Sequence, residues 1–159
     1  MKIIKSFLTN DVIDIIINID KTFYDKVNDE RWYKERYNRF HYAYILMDEE
    51  KPVGYILAVP IRKQLYDAIK SGVLINDTDV NPNMIVNESY YNYIPSCVIL
   101  EEYRNKGYGK NLLETLLQNG RGFYIALTIS NNGYRLARTY MDEMLKINNL
   151  MYVFEKEID

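Results

Sequence analysis

The spacing of apolar residues predicts a short strand over residues 2–7 and then two helices. The first helix covers about residues 10–20, with Asn10 as its N-cap, because an Asn side chain accepts a hydrogen bond from an early helix amide. Isoleucines fill the interior of that segment, so a strand there stays open as an alternative. The second helix covers residues 29–39. Its apolar face comprises Trp32, Tyr33, Tyr37 and Phe40.

The middle of the chain reads as a hairpin, a helix and a long loop. Two strands over residues 41–47 and 53–59 flank a charged turn that ends in a proline. A helix then starts near Ile61 and stops at Gly72. Residues 73–91 show no periodicity, and such a long irregular loop in a compact domain is more often functional than not.

The last third alternates strands with helices. An apolar strand over residues 93–100 contains Pro95, which indicates a bulge or an unpaired edge at that point. A leucine-rich helix over residues 107–118 and a strand over 123–129 follow. Asn131 or Asn132 then caps a helix, and a final strand covers residues 150–157. The inner face of that last helix comprises Leu136, Ala137, Tyr140, Met141, Met144 and Leu145.

This order predicts one mixed α/β domain over residues 1–159, built around a single sheet. Residues 61–91 form an insertion between the third and fourth strands. The apolar stretch at residues 12–19 is polar at Asp14 and Asn18 and is too short to span a membrane. No secretory leader is visible at the N-terminus, so we expect a cytoplasmic protein with no membrane partner.

Composition excludes several kinds of site. Cys97 is the only cysteine and His41 the only histidine, so neither a disulfide nor a metal site built from several such ligands can form, and we expect no metal. The net charge of -2, without a long basic run, argues against a nucleic-acid partner. The 16 tyrosines suit packing and pocket walls alike, and a tyrosine-rich surface is compatible with a homodimer.

The segment with the clearest chemistry joins the fourth strand to the leucine-rich helix. Glycines let a backbone approach a ligand, and the free amides of a helix start favour an anion, so the pattern indicates a diphosphate cradle. It matches neither a P-loop nor a dinucleotide-binding fingerprint, while a solvated basic helix start remains the plain alternative. The segment comprises Val98, Ile99 and Leu100 in the strand, then Arg104, Asn105, Lys106, Gly107, Tyr108, Gly109 and Lys110.

This strand and the R-x-x-G-x-G pattern at Arg104, Gly107 and Gly109 resemble the acetyl-CoA motif of the GNAT superfamily of N-acetyltransferases. The order of elements is similar over nearly the whole chain. The resemblance implies a mostly antiparallel mixed sheet, splayed between strands 4 and 5 and flanked by helices. It also implies an enzyme that moves an acetyl group from acetyl-CoA, its co-substrate, to a primary amine by direct attack.

The resemblance further implies roles for individual residues. The amides of residues 104–110 would hold the pyrophosphate, and residues 98–100 would pair with the pantetheine arm. The amide of Ile99 would polarise the thioester carbonyl. Asn131 or Asn132 would bond the pantetheine, and Tyr140 would protonate the departing thiolate.

The general base has no clear candidate in the sequence. Relatives often place a carboxylate near the position of Tyr93, but here only Glu88 lies upstream, while Glu101 and Glu102 stand at the other end of the strand. A CoA-binding regulatory module without turnover is therefore the alternative. The acceptor is a small-molecule or peptide amine. One further departure from the family is that a single strand, rather than two, is expected after the last helix.

Four other features have ordinary structural explanations. Cys97 in an apolar strand is a core residue rather than a nucleophile, and His41 is structural. At least two of the three tyrosines at positions 90, 91 and 93 pack. The spacing of acidic residues from Asp77 to Glu88 imitates a calcium loop, but Pro82 stands where that loop needs glycine.

Overall fold

The computed structural model describes all residues from Met1 to Asp159. It contains seven strands: β1 (Lys2–Phe7), β2 (Tyr42–Asp48), β3 (Lys51–Pro60), β4 (Tyr91–Ile99), β5 (Gly122–Thr128), β6 (Asp142–Lys146) and β7 (Tyr152–Ile158). Five helices accompany them: α1 (Asn10–Phe23), α2 (Glu30–Arg36), α3 (Lys63–Lys70), α4 (Tyr108–Gln118) and α5 (Asn131–Tyr140). The strands form one sheet in the order β1-β2-β3-β4-β5-β7-β6.

The sheet is mixed, as predicted. The pairs β1–β2, β2–β3, β5–β7 and β6–β7 are antiparallel, whereas β4 and β5 run parallel. The parallel ladder extends only from Tyr91–Phe123 to Ile94–Ala126. Pro95 follows at once, and it has no backbone N–H to donate to a ladder. Five residues of β4, 95–99, therefore continue past its last pair with β5.

The chain contacts group into two compact units. Unit one comprises Met1–Ala58 and Ser96–Leu116, and unit two comprises Val59–Pro95 and Leu117–Asp159. In unit one, Ile13, Ile16 and Ile17 recur at the spacing of one helical face and are buried, so α1 packs through that face. Its core also includes Ile45, Leu46, Tyr55, Ile56 and Leu112.

Unit two is built around β5 and β7. Ile69 on α3, Ile125 on β5 and Phe154 on β7 are fully buried. Helix α3 is tied to β7 by polar bonds, because the Tyr66 hydroxyl donates to Glu155 and the Lys70 ammonium lies 3.2 Å from the same carboxylate. Burial of the phenol, and then the Glu155 carboxylate, raise the pKa of Tyr66.

The two predicted N-terminal helices are both present, but their caps and ends differ from the prediction. Residues 10–20 are helical, so the strand alternative is wrong, and the N-cap is Thr9 rather than Asn10. Helix α2 ends at Arg36 rather than at residue 39. Asn38 turns the chain there, because its side-chain oxygen accepts a hydrogen bond from the Phe40 amide at 2.8 Å. Phe40 therefore lies outside the helix and is not part of its apolar face.

The predicted last helix was too long. Helix α5 ends at Tyr140, and the residues from Asp142 onward form β6, which pairs with β7. Strand pairing has outweighed a pattern of apolar residues that also fits a helix. Two strands therefore follow α5, so the expected departure from the GNAT pattern was wrong. The cap was also misassigned: Ser130 caps α5, rather than Asn131 or Asn132.

In the middle of the chain, Ile61 is not helical. It forms an isolated bridge with Ile85, and α3 begins at Lys63. The loop after α3 is confirmed, with two short 3-10 turns at Asp77–Asp79 and Pro82–Met84. Helix α1 ends at Phe23, three residues beyond its predicted end, and the remaining predicted elements begin and end within two residues of their predicted bounds.

Candidate active site

The turn from β4 into α4 has an unusual backbone. After β4 and a short 3-10 turn at Glu101–Tyr103, Asn105 and Gly107 adopt positive φ angles of 61° and 84°. Such angles are tolerated by glycine and, among other residues, best by Asn. The two left-handed residues bend the chain sharply, and α4 then begins at Tyr108.

The amides of this turn have no partner in the protein. None of the backbone N–H groups of residues 105–110 donates a hydrogen bond, and the first amide of α4 to do so is that of Asn111, to the Gly107 carbonyl at 3.1 Å. A Cβ atom on Gly107 would have nothing within 4 Å, so the space in front of the turn is open. Consecutive amides at a helix start form a positive concave surface that suits a diphosphate.

Cationic side chains surround the turn. The Arg104 Nε donates to the Ile99 carbonyl at 2.8 Å, and its guanidinium lies over the Phe23 ring at 5.3 Å. Lys106 and Lys110 are exposed. Arg104 therefore fixes the turn to the end of β4, while the two lysines add positive charge that attracts an anion from solvent.

Residues of the β2–β3 hairpin form hydrogen bonds with the segment that leads into the turn. The Tyr103 hydroxyl donates to Asp48 at 2.6 Å, and this bond to a carboxylate is the main reason why the pKa of Tyr103 is raised to about 12. The Leu100 amide donates to the Val53 carbonyl at 2.9 Å. The Glu102 carboxylate lies 3.8 Å from the Lys51 ammonium in an exposed pair, which contributes little.

Near the end of β4, some backbone amides point away from β3 and towards the side on which β5 no longer pairs. The Leu100 amide points towards β3, and amides alternate in direction along a strand, so the amides of Ile99 and Cys97 point to the opposite side. The Ile99 carbonyl faces that side too, where it accepts the bond from Arg104. Val98 is buried. Two strand amides beyond the last β4–β5 pair are thus directed along one edge.

His41 is buried, as its predicted structural role requires, whereas Cys97 is half-buried rather than fully in the core. Burial raises the pKa of the Cys97 thiol to about 12, so the sulfur stays protonated at neutral pH and is a poor nucleophile. His41 is buried, and its Nδ1 accepts a hydrogen bond from the Asn38 amide at 3.1 Å. Its carbonyl accepts another from the Leu8 amide. The imidazole therefore holds the chain between α2 and β2.

The other predicted site residues all belong to unit two. Asn131 and Asn132 are exposed in the first turn of α5, and Tyr140 is half-buried at its last position. Glu88 is exposed in the loop before β4. The structure thus gathers residues 97–110 in unit one, whereas α5 carries Asn131, Asn132 and Tyr140, and Glu88 lies in a loop.

Two of the three clustered tyrosines pack, which confirms the prediction. Tyr91 stacks on Phe123, with ring centroids 5.7 Å apart, and Tyr93 is buried with its hydroxyl 2.7 Å from Asp77. Tyr90 is 44% exposed. The Tyr93 hydroxyl thus donates a hydrogen bond to Asp77, which belongs to the segment that imitates a calcium loop. No group of three or more His, Cys, Asp or Glu side chains that could hold a metal ion occurs in the chain.

Sequence reasoning missed a buried polar network in unit one. The Asp20 carboxylate, only 5% exposed, accepts hydrogen bonds from the hydroxyls of Tyr33 at 2.6 Å and Tyr55 at 2.5 Å. Tyr55 is bonded in turn to the Ser96 hydroxyl at 2.8 Å. The one sequence feature that could have indicated this network is that Asp20 lies on the same helical face of α1 as Ile13, Ile16 and Ile17.

Comparison with known proteins settles the family. A model of the acetyltransferase (GNAT) family matches residues 13–142, which is most of the chain. The chain belongs to the GNAT acetyltransferase family. It is an acetyl-CoA-dependent N-acetyltransferase, which transfers the acetyl group of acetyl-CoA to an amine. An enzyme is thereby favoured over a regulatory module without turnover.

Solved structures agree on the fold of this GNAT protein. Arabidopsis thaliana NAA60 in complex with acetyl-CoA is 15% identical, with a TM-score of 0.62 over 99% of this chain and 100% of that one. The ribosomal-protein-S18-alanine N-acetyltransferase of Escherichia coli is 11% identical, with a TM-score of 0.64 over 97% and 91% of the two chains.

The loading GNATL domain of CurA from Lyngbya majuscula is 23% identical, with a TM-score of 0.62 over 83% of this chain and 67% of that one. No curated protein matches the chain. Among its helices, none has the length and apolar character needed to cross a membrane.

Proposed function

We propose that residues 1–159 work as one acetyltransferase domain in which the amides of residues 105–110 hold the diphosphate of acetyl-CoA. The observation that supports this most strongly is the run of amides without a protein partner in front of an open glycine. Arg104 keeps the turn in place, and Lys106 and Lys110 contribute charge. A diphosphate bound there gains charge-assisted hydrogen bonds that the protein leaves unmade.

We propose that the acetyl thioester lies along the free edge of β4. Val98 and Leu100 bracket Ile99, whose amide points to that edge, as does the amide of Cys97. Acetyl-CoA supplies an activated acetyl group, and negative charge develops on its carbonyl oxygen as the amine attacks. One preorganised amide aimed at that oxygen can lower the barrier by about 3 kcal/mol.

The resemblance to the family extends the proposal to unit two. Asn131 or Asn132 bonds the pantetheine amide groups, which suits their exposed places in the first turn of α5. Tyr140, half-buried at the end of that helix, donates a proton to the departing thiolate. Glu88 is exposed and would act as a base only through ordered water.

We propose a peptide α-amine as the acceptor, ahead of a small-molecule amine. One structural relative is an S18-alanine N-acetyltransferase, and another, the NatC complex, was solved with a Gag peptide and CoA. In unit one, Phe23 and Tyr24 form an edge-to-face pair, 49% and 36% exposed, and Phe23 lies under Arg104. Exposed aromatic rings beside the cofactor turn suit an apolar first side chain of a peptide.

Proton chemistry also favours an α-amine. An α-amino group has a pKa of about 7.7–8.0, whereas a lysine-type amine has one of about 10.4. Deprotonation at pH 7 therefore costs only about 1 kcal/mol for the former and about 4.6 kcal/mol for the latter. The α-amine therefore places the smaller demand on whatever group removes the proton.

The test is a thiol-release assay with purified protein, acetyl-CoA and a defined acceptor panel. The panel contains a short peptide with a free N-terminus, the same peptide with a blocked N-terminus and an internal lysine, spermidine and kanamycin. We expect the free peptide to exceed each of the others at least about tenfold in kcat/KM, which corresponds to about 1.4 kcal/mol. Preference for spermidine or kanamycin would instead establish a small-molecule acetyltransferase.

Three further properties complete the proposal. We propose that the enzyme is cytoplasmic. We propose that neither nucleic acid nor membranes are its partners; the net charge of -2 without a long basic run argues against nucleic acid. A homodimer is compatible with the tyrosine-rich composition, and analytical ultracentrifugation would distinguish it from a monomer.

A further inference from the structure

Asp20 is a charged group buried where an apolar residue would serve packing better. It lies on the isoleucine face of α1, and both of its carboxylate oxygens accept tyrosine hydroxyls. Burying a carboxylate is costly unless it is fully hydrogen-bonded, and replacing such a network by apolar side chains often leaves stability unchanged or improves it. Packing alone therefore does not explain why a carboxylate occupies this position.

The network leads from the core to the functional strand. Tyr55 donates to Asp20, so its oxygen is the acceptor for the Ser96 hydroxyl, which is bonded to it at 2.8 Å. Tyr55 is 1% exposed, whereas Ser96 is half-buried. Ser96 directly precedes Cys97 and follows Pro95, so it stands where β4 has left its last pair with β5. A continuous row of hydroxyls thus connects this part of β4 with a buried carboxylate.

We propose that Ser96 accepts the proton of the acceptor amine and that Tyr55 and Asp20 draw this proton away from it. This inference rests on the proposed placement of the thioester along the edge of β4. Ser96 is the residue that touches the acceptor, and Tyr55 and Asp20 are positioning residues.

The proton balance of the transfer is complete. The ammonium proton passes to the Ser96 oxygen while the proton of Ser96 passes to the Tyr55 oxygen. The hydroxyl proton of Tyr55 passes to the nearer Asp20 oxygen. A protonated amine and a carboxylate become a neutral amine and a carboxylic acid, without any other reactant.

Tyr55 is suited to pass a proton rather than to hold a charge. Burial and the neighbouring Asp20 raise its pKa well above the ordinary value, so the phenol stays neutral at every physiological pH. Asp20 and Tyr24 both raise the pKa of Tyr55, and Asp20 accepts hydrogen bonds from the hydroxyls of both Tyr33 and Tyr55. Tyr33 bonds the other carboxylate oxygen and has no part in the route to Ser96.

That difference between the two tyrosines supplies a matched control. The variants Ser96→Ala and Tyr55→Phe interrupt the route, while Tyr33→Phe removes an equally buried donor to the same carboxylate. The probes are ethylamine, which is protonated at pH 7, and 2,2,2-trifluoroethylamine, which is largely neutral there and has nearly the same shape. For each variant we would measure kcat with both amines, the Kd for CoA and the Tm.

With ethylamine we expect kcat to fall about 100-fold in Ser96→Ala and in Tyr55→Phe, as for loss of general-base assistance. With trifluoroethylamine the loss shrinks to within about threefold, because no ammonium proton has to be removed. The double variant is no slower than either single one. Tyr33→Phe leaves the route to Ser96 intact, so its loss of kcat with ethylamine is much smaller than that of Tyr55→Phe. The Kd for CoA stays unchanged in all variants.

Equal losses with both amines, or equal losses in Tyr33→Phe and Tyr55→Phe, would overturn the relay and identify the network as a structural clamp between α1, α2 and β3. A different result is expected if the proposed position of acetyl-CoA along β4 and the turn after it is wrong. If CoA is bound elsewhere, Gly107→Glu leaves its Kd unchanged in the otherwise unaltered protein, whatever the Ser96 and Tyr55 variants do.

Discussion

Helices α4 and α5 both begin a short turn after a strand, yet they use their first amides in opposite ways. At the start of α5, the Ser130 hydroxyl oxygen accepts a hydrogen bond from the Gly133 amide at 3.1 Å. At the start of α4, Gly107 occupies the corresponding position without a side chain, and the amides of residues 105–110 donate to nothing in the protein. One helix start is closed by its own sequence, and the other is left open.

The difference shows what distinguishes a binding turn from an ordinary helix start. Helices α1 and α2 are capped by Thr9 and Asp29, as α5 is by Ser130. Helix α3 also has no side-chain cap, but its early amides donate to the Arg62 carbonyl. Only α4 combines free amides with a glycine of positive φ facing open space. The lack of a cap lowers the free energy of unfolding by about 1 kcal/mol, and binding of a diphosphate to the folded protein can raise it again.

The largest expected effect comes from closing the open helix start. Gly107→Glu places a carboxylate in front of the amides, and we expect the Kd for CoA to rise more than about 100-fold, or about 2.7 kcal/mol. Gly107→Gln is the matched control, since both variants share the strain of a side chain at φ 84°. We expect the Gln variant to bind at least about tenfold more tightly than the Glu variant, as measured by calorimetry. Equal affinities would show that charge at this turn is irrelevant.

A smaller effect should follow from opening the closed helix start. Ser130→Ala removes the cap of α5 and should lower the free energy of unfolding by about 1 kcal/mol, or the Tm by about 2–4 °C. The Kd for CoA should stay the same, since the cap serves stability alone. Thermal unfolding followed by circular dichroism measures the first quantity, and calorimetry measures the second. A tighter or weaker Kd without a change in Tm would contradict the comparison.

The smallest effect concerns the support beneath the open turn. Tyr103→Phe removes the hydrogen bond to Asp48, so the Tm should fall by less than in Ser130→Ala. The pKa of Tyr103 is about 12 in the folded protein, above the ordinary value of about 10, so this stabilisation is complete below pH 10 and is lost between pH 10 and 12. The Tm difference between the two proteins should therefore be constant up to about pH 9.5 and then shrink. A constant difference up to pH 11.5 would show that the phenol does not titrate as described.

The cofactor turn could be predicted from the sequence because its chemistry is local. Seven consecutive residues, 104–110, supply the glycines, the cations and the helix start, so adjacency in the chain is adjacency in space. The same holds for the short strands and for the hairpin turn. Where a structure depends on neighbours in sequence, propensity and spacing suffice.

Tertiary pairing decided what could not be predicted. Met144 and Leu145 follow α5 at helical spacing, but they lie in β6 because β7 offers a partner strand. The Asp20 network joins residues from α1, β3 and β4 that are separated by 35 and 41 positions in the chain. A single sequence contains no signal for such pairings, so a carboxylate on an apolar helix face was the only trace of the network.

The most direct test of the central claim is an amide map of the turn in solution. Nitrogen-15 spectra of the protein titrated with CoA, and separately with pantetheine, would separate the diphosphate from the rest of the cofactor. We expect the largest shift changes at the amides of residues 105–110 with CoA, and only small changes there with pantetheine. If those amides are unmoved by CoA, or if pantetheine moves them equally, the open helix start is not the diphosphate site.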